Sequence, residues 1–116
     1  MKTKFLTLAF SLMVLVSGDV FADGGESEGK VLLPSVNEYG IFFFSAGTHG
    51  KKPACHTMGG GWEDTWAVDL KTPYGKSAQA IVLTAHAEGK RVHVVGKGTC
   101  EAWGDRETVS WLYIVD

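Results

Sequence analysis

The apolar positions of this chain change period from segment to segment, and each change predicts an element. Phe5 to Gly18, FLTLAFSLMVLVSG, is an unbroken apolar run with Lys2 and Lys4 before it and Val20-Phe21-Ala22 after it. A positive start, an apolar centre shorter than a membrane span and small residues at the exit make the three parts of a secretory signal peptide, here residues 1–22. No cysteine follows the run to carry a lipid. The next segment, DGGESEG at 23–29, is polar and glycine-rich and reads as a flexible N-terminus. KVLLPSV then predicts a short strand interrupted at Pro34, where the missing N–H suits an edge or a bend. Asn37 to Gly40 reads as a turn, and Ile41 to Phe44 as the buried run of a second strand.

THGKKPACHTMGGG has no hydrophobic order and predicts a loop. Alternation returns in WEDTWAVDL. Trp66, Val68 and Leu70 share one face and Ala67 and Asp69 the other, the period of a half-exposed strand. A helical period follows. Ala78, Ile81, Val82 and Ala85 fall at i, i+3, i+4 and i+7, behind Thr72 as a cap and Pro73 at the first position, with Gly89 as a left-handed stop. This predicts a helix over 73–88, its wetter face carrying Lys76, Gln79 and His86. KRVHVVGKGTC is a strand with Val92 and Val94 on one side and His93 and Val95 on the other, weakened by Gly96 and Gly98. EAWGDRE is a turn. TVSWLYIV closes the pattern, with Val109, Trp111, Tyr113 and Val115 expected on one face and Leu112 and Ile114 on the other. The order implies an α+β domain: a small curled antiparallel sheet, or a partly closed barrel, with one helix before the last two strands.

Charge and cysteines narrow the picture. Removing residues 1–22 takes 11 basic and 13 acidic residues to 9 and 12, a net charge of −3 on 94 residues. That is one domain, and its acidic balance argues against nucleic acid, which requires a concentrated basic face. No second long apolar run exists, so no membrane span is expected in the mature chain. Cys55 and Cys100 are the two cysteines. In an exported protein they are expected to form one disulfide, and the loop it closes would stabilise the fold by about 4 kcal/mol on the chain-entropy model.

The candidate chemistry is sparse. His49, His56, His86 and His93 have no metal-ligand spacing, and Cys55-His56 adjacency is poor ligand geometry, so no metal and no cofactor is expected. Gly59-Gly60-Gly61 precedes a strand and lacks a P-loop lysine. Glu63 and Asp64 are neighbours and point apart on a strand, while Asp105 and Glu107 could approach them across the disulfide. No nucleophile context is present, so no catalytic residue is assigned. Four tryptophans are many for this length. Trp66 and Trp111 read as core. Trp62, beside Glu63 and Asp64, and Trp103, beside Asp105, sit in polar turns that the disulfide would bring together. They read equally as core or as a binding face, where a sugar ring stacks on the indole and carboxylates accept its hydroxyls. Protein partners suit such aromatics too.

The stretch WAVDLKTPYGKSAQAIVLTAHAEGKRVHVVGKGTC resembles the oligosaccharide/oligonucleotide-binding (OB) fold of secreted bacterial toxin B subunits. It is also similar to small exported bacterial proteins sharing the strand, the TP-x-GK helix start, the GK-x-V-x-V strand and the cysteine. The N-terminal helix of some toxin B subunits has no counterpart here. The resemblance implies an OB-like domain over 30–116; with the signal-peptide pattern and the aromatic turns, the expectation is a secreted or periplasmic, non-enzymatic module that binds a glycan or a protein. Trp62, Glu63, Asp64, Trp103 and Asp105 are its expected ligand-binding residues. A small secreted hydrolase or an enzyme inhibitor is the alternative, and a homo-oligomer is compatible with either.

Overall fold

The structure, a computed structural model, describes residues 24–116. The expected signal peptide lies outside the described residues. Five strands and one helix follow the expected order: β1 (Glu26–Val36), β2 (Ile41–Ala46), β3 (Thr65–Asp69), α1 (Pro73–Glu88), β4 (Arg91–Gly96) and β5 (Val109–Ile114). They form one antiparallel sheet in the order β3-β2-β1-β4-β5. β1 makes the sheet curl. Its first half, Glu26 to Lys30, pairs with β4, and its second half, Val31 to Val36, pairs with β2. The register with β2 shifts between Leu32 and Ser35, around Pro34, and Leu33 takes a positive φ of 56°. A bulge at a residue without an N–H bends the strand at little cost in hydrogen bonds. The curl brings β3 against the residues entering β5, through a single parallel bridge between Ala67 and Thr108, and the sheet is not closed.

The helix has the expected bounds because its ends are locally encoded. Thr72 Oγ1 accepts a hydrogen bond from Gly75 N–H, Pro73 occupies the first turn, and Gly89 caps the end with φ 67°. Gly75, Ala78, Val82 and Ala85 face the sheet. There they complete a core with Phe42, Phe44, Trp66, Val68, Val92, Val94 and Val109. The alternate residues of β2 and β3, Ile41, Phe43 and Ala67, form a second cluster on the outer side, beneath Ala102 and Trp103. β3 is therefore buried on both faces, where a half-exposed strand was expected.

Two further expectations are corrected. Residues 26–29 are not a flexible N-terminus: they pair with β4, and Ser27 is buried, accepting a hydrogen bond from Trp66 Nε1 at 2.9 Å. Trp111 is not core. Val95 pairs with Trp111 while Gly96 pairs with Val109, so Ser110 is an extra residue in β5. A one-residue bulge reverses the facing of everything beyond it. Val109 points in, Leu112 and Ile114 pack against the core, and Trp111 and Tyr113 stand outside at 54% and 44% exposure.

These placements separate two tryptophan truncations. Trp66→Ala removes a fully buried ring and should cost about 3–5 kcal/mol, whereas Trp111→Ala should cost about 1 kcal/mol or less. Urea unfolding followed by circular dichroism measures both, and equal losses would contradict the register of β5.

Candidate functional site

The disulfide joins Cys55 to Cys100, with Cα atoms 6.1 Å apart. It ties the loop before β3 to the loop before β5, and the backbone follows, with Thr57 N–H donating to the Asp105 carbonyl at 3.1 Å. Beneath this junction lies a buried polar cluster. Glu107, with 0% exposure, accepts from the N–H groups of Gly25 and Gly98 at Oε2, both at 2.8 Å. His49 Nε2 lies 2.7 Å from Oε1. A carboxylate accepts only, so His49 Nε2 carries the hydrogen. The Glu107 N–H donates to His56 Nδ1 at 3.0 Å, which leaves His56 Nε2–H to donate to the Glu63 carbonyl at 2.8 Å. The His49 ring stacks on Trp66 at 3.7 Å.

Glycines make room for this carboxylate. A Cβ on Gly96 would fall inside the Glu107 carboxyl group, and one on Gly25 would sit 2.7 Å from Oε1. The glycine-rich start of the described chain is thus a close-approach surface. The His49–Glu107 pair resembles a base with its orienting carboxylate, but both side chains are fully buried, so no substrate meets them. Among the described residues no group of three or more His, Cys, Asp or Glu is arranged to hold a metal ion.

The accessible chemistry lies on the outer side of β2. A cavity of about 250 Å³ is lined by Ser35, Val36, Asn37, Phe43, Met58, Trp62 and Arg106. Its floor is the Phe43 ring, with the Arg106 guanidinium 4.3 Å above the centroid. Trp103 meets Phe43 edge-on at 6.0 Å and Tyr39 at 5.8 Å. Tyr39 is presented by a turn in which Asn37 Oδ1 accepts from the N–H groups of Tyr39 and Ile41. A continuous surface results, running from Trp62 over Arg106 and Phe43 to Trp103 and Tyr39.

The expected ligand-binding residues divide. Trp62 and Trp103 are half-buried on this one face. Glu63 and Asp64 do not line the cavity. Glu63 Oε1 accepts from Gly61 N–H at 2.8 Å, and Asp64 Oδ1 accepts from His49 N–H at 3.0 Å, so both hold the loop in place. Asp105 sits beside the cavity, its Oδ1 3.2 Å from Arg106 Nε. The expected approach of Glu107 to Glu63 and Asp64 does not occur, because the Glu107 side chain turns inward to Gly25 and Gly98. Phe43, Arg106 and Tyr39 are site residues the sequence pattern did not single out. The apolar run had assigned Phe43 to the core, and a charged residue in a turn gives no sign that it will lie across a ring. No family model matches the chain, and no curated protein or solved structure matches it.

Burial holds the His49 imidazole below its ordinary pKa of 6.5, against the pull of the Glu107 hydrogen bond. The unfolded chain then takes up a proton near pH 6.5 that the folded chain refuses. Stability from this residue is full above that pH and is lost as pH falls below it, by up to about 1.4 kcal/mol per pH unit for one proton. Urea midpoints measured from pH 8 to 5 should show this decline, and His49→Gln, which keeps an N–H donor without titrating, should flatten it. An equal slope in the variant would contradict the assignment.

Proposed function

We propose that the chain is an exported, non-enzymatic binding module and that its ligand is a glycan held on the outer side of β2, between Trp62 and Trp103. Export rests on the signal-peptide pattern, and the disulfide is compatible with it. No described helix is long and apolar enough to cross a membrane. The observation that carries the binding reading is the cavity: the half-buried Trp62 and the buried Phe43 ring beside Asn37, Ser35 and Arg106, in a space of about 250 Å³. That is below the roughly 300–1,000 Å³ of drug-sized ligand sites and suits one sugar ring stacked by its C–H face.

The resemblance to toxin B subunits supports the same surface. OB-type modules bind on the face of their second and third strands, between the loop joining strands one and two and the loop joining strands four and five. In this chain those loops carry Tyr39 on one side and Trp103 and Arg106 on the other, with Phe43 of β2 between them. That the domain is of OB type is part of the proposal.

A glycan array followed by calorimetry on the best hit tests it. Trp62→Ala and Trp103→Ala should each weaken binding at least tenfold, about 1.4 kcal/mol, with melting temperatures far above that of Trp66→Ala. If both unfold as badly as Trp66→Ala, the two indoles are packing residues and the site loses its support.

A further inference from the structure

We propose that this site reads a carboxylate on its sugar, with Arg106 as the group that binds it; the inference rests on the glycan-binding reading above. Arg106 is 8% exposed, an uncommon state for a guanidinium. Its position is fixed on three sides. The plane lies over Phe43, Nε donates to Asp105 Oδ1 at 3.2 Å, and Nη1 makes a long contact of 3.4 Å to Thr65 Oγ1. Nη2 has no hydrogen-bond partner among the described residues. The one fully buried side-chain atom left without a partner there is His49 Nδ1, so Nη2 keeps some contact with solvent, and Arg106 lines the cavity.

A nearly buried cation is costly unless its donors are used. Asp105 uses one corner of the fork through a single bond and leaves the far edge, Nη2 with the weakly held Nη1. That edge has the spacing of a carboxylate's two oxygens, and stacking on Phe43 aligns it before any ligand arrives. The other walls suit the rest of a sugar. Trp62 lines the cavity, and Asn37 spends its oxygen on the Tyr39 turn while its NH₂ group has no partner among the described residues. The chain's overall charge is negative, −2 over the full sequence. Long-range attraction therefore does not bring an acidic sugar here, and selectivity depends on the fork itself.

Two probe pairs that differ at the carboxyl group alone test this by calorimetry: oligogalacturonate against its methyl ester, and sialyllactose against its methyl ester. The wild-type protein should bind an acidic probe at least tenfold tighter than its neutral counterpart. Arg106→Gln should abolish that preference, and Arg106→Lys, a charge without a fork, should restore only part of it. Equal affinity for both members of a pair in the wild type overturns the carboxylate inference and leaves the glycan reading standing. No binding of any of the four probes overturns both. The wild-type comparison decides the matter even if Arg106→Gln destabilises the fold.

Discussion

The carboxylate of Glu107 accepts hydrogen bonds from Gly25, His49 and Gly98 with no solvent in reach. Burying a charge is among the largest penalties a fold can carry, and it is offset only when the charge is fully hydrogen-bonded. Here the donors come from three places: the start of β1, the loop after β2 and the turn after β4. The main chain of the same residue adds two more ties, donating to His56 and accepting from Ala67 of β3. One residue thus binds the N-terminal strand, the long loop and both ends of the curl. Leaving such a buried charged group short of one hydrogen-bond partner costs about 1–3 kcal/mol or more, a large share of the roughly 5–15 kcal/mol available to a domain.

This constraint places the outer surface of β2. Arg106 precedes Glu107 in the chain, and the inward turn of one residue sends the other outward across Phe43. The Arg106 N–H donates to the Trp103 carbonyl at 3.0 Å, which closes the turn that sets the indole edge against Phe43. On the other side, His56 and the disulfide hold the loop that carries Met58 and Trp62. The proposed ligand surface is therefore the outer skin of a buried polar lock, which explains how long loops present a preformed site.

How much of this was legible in the sequence depended on how local each signal was. The helix could be read to the residue because Thr72, Pro73 and Gly89 mark its ends within a few positions. The α+β order and the disulfide partners were equally plain. The facing of β5 was not, because the bulge at Ser110 depends on its partner strand. DGGESEG was misread because glycine composition looks alike whether it serves freedom or close approach, and the group it approaches lies 82 residues away from Gly25. Of the expected ligand residues, the two tryptophans, which read equally as core or as a binding face, are half-buried, and Trp103 packs against the outer cluster. Glu63 and Asp64 are consumed by loop contacts that no spacing rule describes.

Amide hydrogen exchange at Gly25 and Gly98 addresses the central role of Glu107 most directly. Both N–H groups point at its carboxylate, Gly25 just before β1 and Gly98 just after β4. If the buried carboxylate organises the fold, both amides exchange only through global unfolding, as slowly as those of Phe44 and Val94 in the core strands. Exchange at Gly25 and Gly98 as fast as at the exposed Gly59 and Gly60 would contradict the account.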